Sequence, residues 1–129
     1  MIKKDHRLAK KRDFKILMDK GQWISGQFFN LRSLRLANVL AESPKKVDPA
    51  EFVAQWKYAV TAGVKISKSA VKRNRVKRRA VEILRLIAKD HPEIAGVYGL
   101  FVAKPGVLDT EYINLEQDIN QLVKKARWI

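Results

Sequence analysis

The chain contains no cysteine. Disulfides, zinc sites built on thiolates and thiol catalysis are therefore excluded. Histidine is nearly as scarce: His6 and His91 stand far apart in polar surroundings and share no metal-ligand spacing. Acids are also few, with 13 Asp and Glu against 27 Lys and Arg. No apolar run is long enough for a membrane-spanning helix and no secretory signal is visible, so the expected compartment is the cytoplasm. Gly-rich phosphate loops, internal repeats and low-complexity tracts are missing, and no nucleophile stands beside a base. Asp5, Asp13, Asp19 and Glu82 are scattered among cations, where local charge balance is the simpler reading. By itself the chain reads as a binding module.

What is present in excess is positive charge. The formal net charge is +14 and the isoelectric point about 10.3, well beyond what solubility requires of a small domain. Such a field calls for a polyanion and for salt-sensitive binding. Hydrophobic residues make up 47% of the 129 positions, which argues for one folded domain, 1–129, over a disordered basic tail.

The charge concentrates in one stretch. Between Lys65 and Arg79 lie Lys65, Lys68, Lys72, Arg73, Arg75, Lys77, Arg78 and Arg79, eight cations in fifteen positions without an acid. The same stretch, Ile66 to Leu86, is helical by pattern. Val76, Ala80, Ile83, Leu84 and Ile87 form one apolar stripe at helical period. Ser67 or Ser69 can cap it. Arg75, Arg78 and Arg85 project away from the stripe with Asn74, while Arg73 and Lys77 lie near its edge. A helix N-terminus disfavours cations, so an external polyanion would relieve the crowding. A solvated basic face could serve solubility alone, but this density points to nucleic acid.

Around this helix the pattern predicts the order α-β-β-β-α-β-α, an α+β two-layer sandwich on a four-stranded sheet. His6–Lys20 reads as a helix ending at Gly21, with Phe14, Leu17 and Met18 on its apolar face. Gln22–Leu40 reads as a short strand, a turn at Gly26 and a longer strand, with slipped alternation between Leu31 and Leu34 that would mark a bulge. Ala41–Glu51, with two prolines, reads as a loop. Phe52–Ile66 alternates as a strand, with Trp56, Tyr58, Val60, Ala62, Val64 and Ile66 on the buried side. Lys57, Ala59, Thr61, Gly63 and Lys65 form a small, basic outer side suited to a sugar-phosphate chain. Val97–Ala103 reads as a strand buried on both faces. The last helix, capped by Asp109 or Thr110, carries Tyr112, Leu115, Ile119, Leu122, Val123 and Ala126 on its stripe. The central and last helices are expected on one sheet face.

The run AVKRNRVKRR resembles the signature of the bacterial ribonuclease P protein subunit, an Ala-Val-x-Arg-Asn-Arg-x-Lys-Arg core behind a strand end. Ala70, Val71, Arg73, Asn74, Arg75, Lys77 and Arg78 match in seven of nine positions. The resemblance extends to Arg7, Leu8, Asp13, Phe14 and Gly21 near the start, and to the Lys104-Pro105-Gly106 turn. The sequence departs from the family at Arg32, where a cleft aromatic is common, and at Val81, where an Arg is common. It departs also at the strand end, where Val64, Ile66 and Lys68 replace the usual Ser, Lys and Gly. It therefore reads as a divergent member.

The resemblance implies a left-handed strand–helix–strand crossover and a role in a ribonucleoprotein endonuclease that trims the 5′ leader from precursor tRNA. In that family the RNA subunit carries out the magnesium-dependent hydrolysis, so no catalytic residue and no protein-held metal are expected here. By this carry-over Lys72, Arg73, Asn74, Arg75, Lys77, Arg78 and Arg79 face the ribonuclease P RNA. Arg7, Lys11, Phe14, Phe29, Arg32, Lys57, Thr61 and Lys65 border a groove for the precursor tRNA leader, with Phe14 as a base-stacking aromatic. Phe29 is compatible with core or groove. The protein itself is expected to be monomeric. The alternatives are a ribosomal-type RNA binder with no part in cleavage, and a membrane-surface binder. The latter requires an exposed apolar stripe beside the cations, whereas these stripes are needed for a core.

Overall fold

The computed structural model describes residues 2–129; Met1 lies outside them. Strand β4 (Val97–Ala103) explains the layout. Its run VYGLFVA is buried along nearly its whole length, so both of its faces need cover. It lies between β2 (Phe29–Arg35), which runs antiparallel to it, and β3 (Trp56–Thr61), which runs parallel. With β1 (Gln22–Ser25) paired to β2, the sheet order is β1-β2-β4-β3.

Four helices supply the cover. Helices α3 (Ala70–Asp90) and α4 (Tyr112–Lys125) pack on one face, over Phe29, Leu31, Trp56, Tyr58, Val97 and Phe101. Every residue of the α3 stripe from Val76 to Ile87 is buried, as its period requires. After α4, Arg127 adopts φ 59° and turns Trp128 back onto the sheet. Trp128 sits directly over Gly99, where any side chain would collide with its ring, and its Nε1 donates to Ser33 Oγ at 3.0 Å. The second face, with Leu34, Tyr98 and Leu100, lies under Leu8, Ile16 and Leu17 of the N-terminal arm and α1 (Lys11–Lys20) and under Phe52 of α2 (Pro49–Ala54).

The α+β expectation on a four-stranded sheet holds, with α3 and α4 together on one face and α1 and α2 on the other, and several boundaries move. The segment 41–51 is not simply a loop. Asp48 accepts from the Ala50 N–H at 2.9 Å with Pro49 at the first helical position, which starts α2. Strand β3 therefore begins at Trp56, not Phe52, and it ends at Thr61; Val64 is 69% exposed rather than on a buried side. Nor does a bulge mark Leu31–Leu34. β2 keeps unbroken register with β4, and the two leucines face opposite, equally buried sides. The first helix starts at Lys11 because the preceding residues run along β3, where the Leu8 N–H donates to the Tyr58 carbonyl at 3.0 Å. Glu111, not Asp109 or Thr110, stands at the cap position of α4.

Candidate nucleic-acid interface

Ser69 caps α3, its Oγ accepting from the Lys72 N–H at 3.3 Å, and Ser67 Oγ accepts from the Ser69 N–H at 3.1 Å. The helix then has no acid in its first turn. Its early cations divide into two kinds. Arg73 is half-buried and donates from Nη1 to the Ser67 carbonyl at 2.8 Å, which ties down the turn before the helix. Lys72, Asn74, Arg75 and Arg78 are exposed, and among the described residues no ion pair or side-chain hydrogen bond engages the three cations. Lys77 and Arg79 are half-buried at the stripe's edge, where their aliphatic stems cover the core. Farther along, Arg85 is neutralised by Glu82 in a two-pronged pair at 2.7 and 3.1 Å, and this hydrogen bond holds the Glu82 carboxyl below its usual range. On α3 the acid-free run of charge therefore lies in the first half of the helix.

On the second sheet face, α1 crosses from β3 to β2. Near its start, buried Asp13 lies 3.6 Å from Lys57 Nζ and accepts a long hydrogen bond from Tyr98 at 3.4 Å. Burial, with Asp13 beside it, pushes the Tyr98 hydroxyl well above its ordinary range, so it stays protonated and donates to Gln55 Oε1 at 2.7 Å. At the far end of α1, Arg32 donates to the carbonyls of Leu17 and Met18, a cation placed where the helix dipole favours it.

This crossing leaves the second face less covered toward the ends of β3 and β4. Thr61 is exposed there, and Phe14, Ala59 and Val102 border the buried cluster while remaining partly accessible. Asn30 lies on the same face with its Oδ1 buried and unpartnered. The chain leaves β3 at this end, passes exposed Lys65 and enters α3, so the open face and the basic helix start adjoin. Arg7 and Lys11 are exposed along the β3 side.

Two groove expectations change. Phe29 is wholly buried on the opposite face, beneath α3 and α4, and is a core residue. Lys57 is largely buried, its side chain 17% exposed, and committed to Asp13. Sequence reasoning also passed over Trp23. It is 50% exposed, lies opposite Arg32 in the β1–β2 register, and stacks with its guanidinium 5.6 Å away. The β1–β2 turn is centred between Gln27 and Phe28, so counting outward from Gly26 does not pair these two residues and only the observed register does. The turn itself depends on another residue missed in sequence, buried Asp118 of α4, which accepts from the Gln27, Phe28 and Phe29 N–H groups at 2.7, 2.9 and 3.0 Å.

Residues 2–127 match the family model described as Ribonuclease P. The chain belongs to the ribonuclease P protein family. It is similar to the ribonuclease P protein component of Microcystis aeruginosa, 30% identical over 96% of this chain and 92% of the relative. The corresponding component of a Synechococcus strain is 32% identical over 98% and 85%. Its fold matches that of the ribonuclease P protein of Staphylococcus aureus, with a TM-score of 0.71, 20% identity and coverage of 95% and 96%. It also matches that of Thermotoga maritima, with a TM-score of 0.67, 14% identity and coverage of 93% and 96%. For a ribonuclease P protein the division of the α3 cations is informative, because it separates side chains free to meet a phosphate from those already engaged in holding the fold.

Proposed function

We propose that this chain is the protein subunit of a ribonucleoprotein that removes the 5′ leader of precursor tRNA, binding the catalytic RNA through α3 and the leader through the open sheet face. The observation that carries this reading is the first half of α3, where Lys72, Arg75 and Arg78 project without an acidic partner beside an accessible aromatic and polar sheet face. In this reading Lys72, Arg75, Arg78 and Asn74 contact the RNA subunit. Arg73, Lys77 and Arg79 shape that surface from its edge. Phe14, Thr61 and Lys65 face the leader, with Arg7 and Lys11 at its border and Arg32 holding Trp23 in place. Stacking on an aromatic and charge on the backbone together bind single strands with little regard to sequence, which suits leaders of varied sequence.

Among the described residues no three His, Cys, Asp or Glu gather into a cation site. No step is therefore assigned to a protein-held metal; magnesium in this reading belongs to the RNA. The protein's part is electrostatic and positional. Its cations offset repulsion between two polyanions, and the groove fixes the leader beside the bond to be cut. Among the described residues no helix is long and apolar enough to cross a membrane.

Reconstitution tests the reading. The protein is mixed with its cognate ribonuclease P RNA at low magnesium, and cleavage of a precursor tRNA is followed. A large protein-dependent rescue is expected. Tight RNA binding without rescue would overturn the processing role and leave a general RNA binder.

A further inference from the structure

A second concavity lies away from the groove. It occupies the first sheet face, at the start of β3 and beside the last turns of α3, with a volume of about 480 Å³, within the roughly 300–1,000 Å³ usual for small-ligand sites. Its walls are His6, Trp56, Tyr58, Ala88 and Ile94, and cationic Lys3, Arg85 and Lys89 stand around it. Trp56 and Tyr58 alternate with Lys57 along β3, so this concavity and the groove lie on opposite sides of the sheet. Neither the basic first half of α3 nor the groove includes any of its residues.

Its polar lining includes His6 and Tyr58, with Lys3 and Lys89 beside them. Trp56 is 7% exposed, and its Nε1 is buried with no hydrogen-bond partner. That N–H is closed to solvent and so does not open into the concavity. The His6 ring lies 5.0 Å from that of Trp56, and its Nδ1 lies 2.9 Å from the Trp56 carbonyl. A carbonyl only accepts, so Nδ1 carries a proton and Nε2 of the neutral ring is left as an acceptor. Burial pushes the Tyr58 hydroxyl up to about 12, so it remains a donor at neutral pH. Of the surrounding charges, Arg85 is shared with Glu82 and His91 lies 3.3 Å from Glu93, which leaves Lys3 and Lys89 uncommitted.

We infer that this concavity is a nucleotide site, with a base lodged between His6, Tyr58 and Ala88 and its phosphate on Lys3 and Lys89. A nucleobase offers what the walls can use: a ring nitrogen or carbonyl for the Tyr58 hydroxyl, an amino group for His6, and a flat apolar face for the aromatic lining. The phosphate answers the two uncommitted lysines. The occupant is either a free mononucleotide or an unstacked nucleotide of a bound RNA, and the chemistry is the same for both. The site goes beyond the processing role, since the free-nucleotide measurement is read whether or not this protein supports tRNA cleavage.

The indole N–H resonances of Trp23, Trp56 and Trp128 report on the site by NMR. Titration with 5′-mononucleotides is expected to shift the Trp56 signal and leave those of Trp23 and Trp128 in place. The matching nucleosides should bind at least about fivefold more weakly. Ala88→Phe, which fills the concavity from the α3 side, should weaken nucleotide binding at least about tenfold while the thermal melt stays cooperative. Lys89→Glu should do the same should Ala88→Phe prove unstable. Loss of RNA affinity in either variant assigns the site to an RNA nucleotide; nucleotide binding without that loss assigns it to a free one. The inference is overturned if nucleosides bind as well as nucleotides. It is equally overturned if no mononucleotide binds more tightly than about 10 mM and the variants keep full RNA affinity.

Discussion

Replacing Lys72, Arg75 and Arg78 together with Ala tests the division of charge on α3. All three are exposed and free of acidic partners, whereas Arg73 is held by the Ser67 carbonyl and Arg85 by Glu82. Each phosphate contact contributes about 0.7 to 0.9 to the slope of log affinity against log salt, the lower value for single strands. Removing three contacts should therefore flatten that slope by about 2.1 to 2.7. Over a fourfold rise in salt, from about 50 to 200 mM, the advantage of the wild type over the variant should shrink roughly 20- to 40-fold. Anisotropy titrations of labelled ribonuclease P RNA over this range measure it directly. Arg85→Ala is the matched control and should change the slope by far less, because its charge is already balanced. Stability should move the other way. The three cations repel one another and oppose the helix dipole, so the triple variant should melt at or slightly above the wild-type temperature. An unchanged salt slope in a normally folded triple variant would refute the argument. So would a slope change as large for Arg85→Ala alone as for each of the three.

Other expectations follow from single residues. Asp118→Ala leaves three N–H groups of the β1–β2 turn without their acceptor and should cost about 3–5 kcal/mol in urea unfolding. Phe29→Ala should cost about 3–5 kcal/mol of stability, with leader affinity per folded molecule unchanged, because Phe29 is core. Phe14→Ala should weaken cleavage of precursors with long leaders more than that of nearly leaderless ones; equal loss on both would place Phe14 in the core alone. Burial raises the pKa of Tyr58 to about 12 and that of Tyr98 further still. Both hydroxyls therefore hold their protons more tightly in the folded chain. Their stabilisation is complete below about pH 10, where the unfolded chain is also protonated, and is lost as pH rises through the folded values. Thermal melts between pH 9 and about 11.5 should show stability falling once pH passes about 10.

Much of the α+β layout was legible in the chain. Helix α3 carries a stripe that repeats from Val76 to Ile87, and every residue of that stripe is buried. Periodicity is strong when one face of a long element is apolar and the other charged. The β4 run and the α4 stripe were legible for the same reason. The short elements were harder. Residues Pro49–Ala54 straddle what reads as the end of a loop and the start of a strand, and the Asp48 cap and the seat of Phe52 make them helical. The apparent irregularity of β2 came from burial on two faces, which alternation alone does not distinguish from a bulge.

For the candidate interface, the sequence by itself determined the density of charge and its concentration about the start of one helix. It could not determine which cations are free. Arg73 and Arg75 are two residues apart and chemically alike, yet one is bound to a backbone carbonyl and the other faces solvent. Phe14 and Phe29 are likewise indistinguishable by type, and only the packing of α1 on one face and of α3 and α4 on the other leaves the first accessible and buries the second. The physical reason is that charge and periodicity are local properties of the chain, whereas exposure and pairing depend on residues brought close from distant positions. Asp118 lies 89 residues from Phe29 in sequence, yet it fixes the turn from which the register of Trp23 and Arg32 follows.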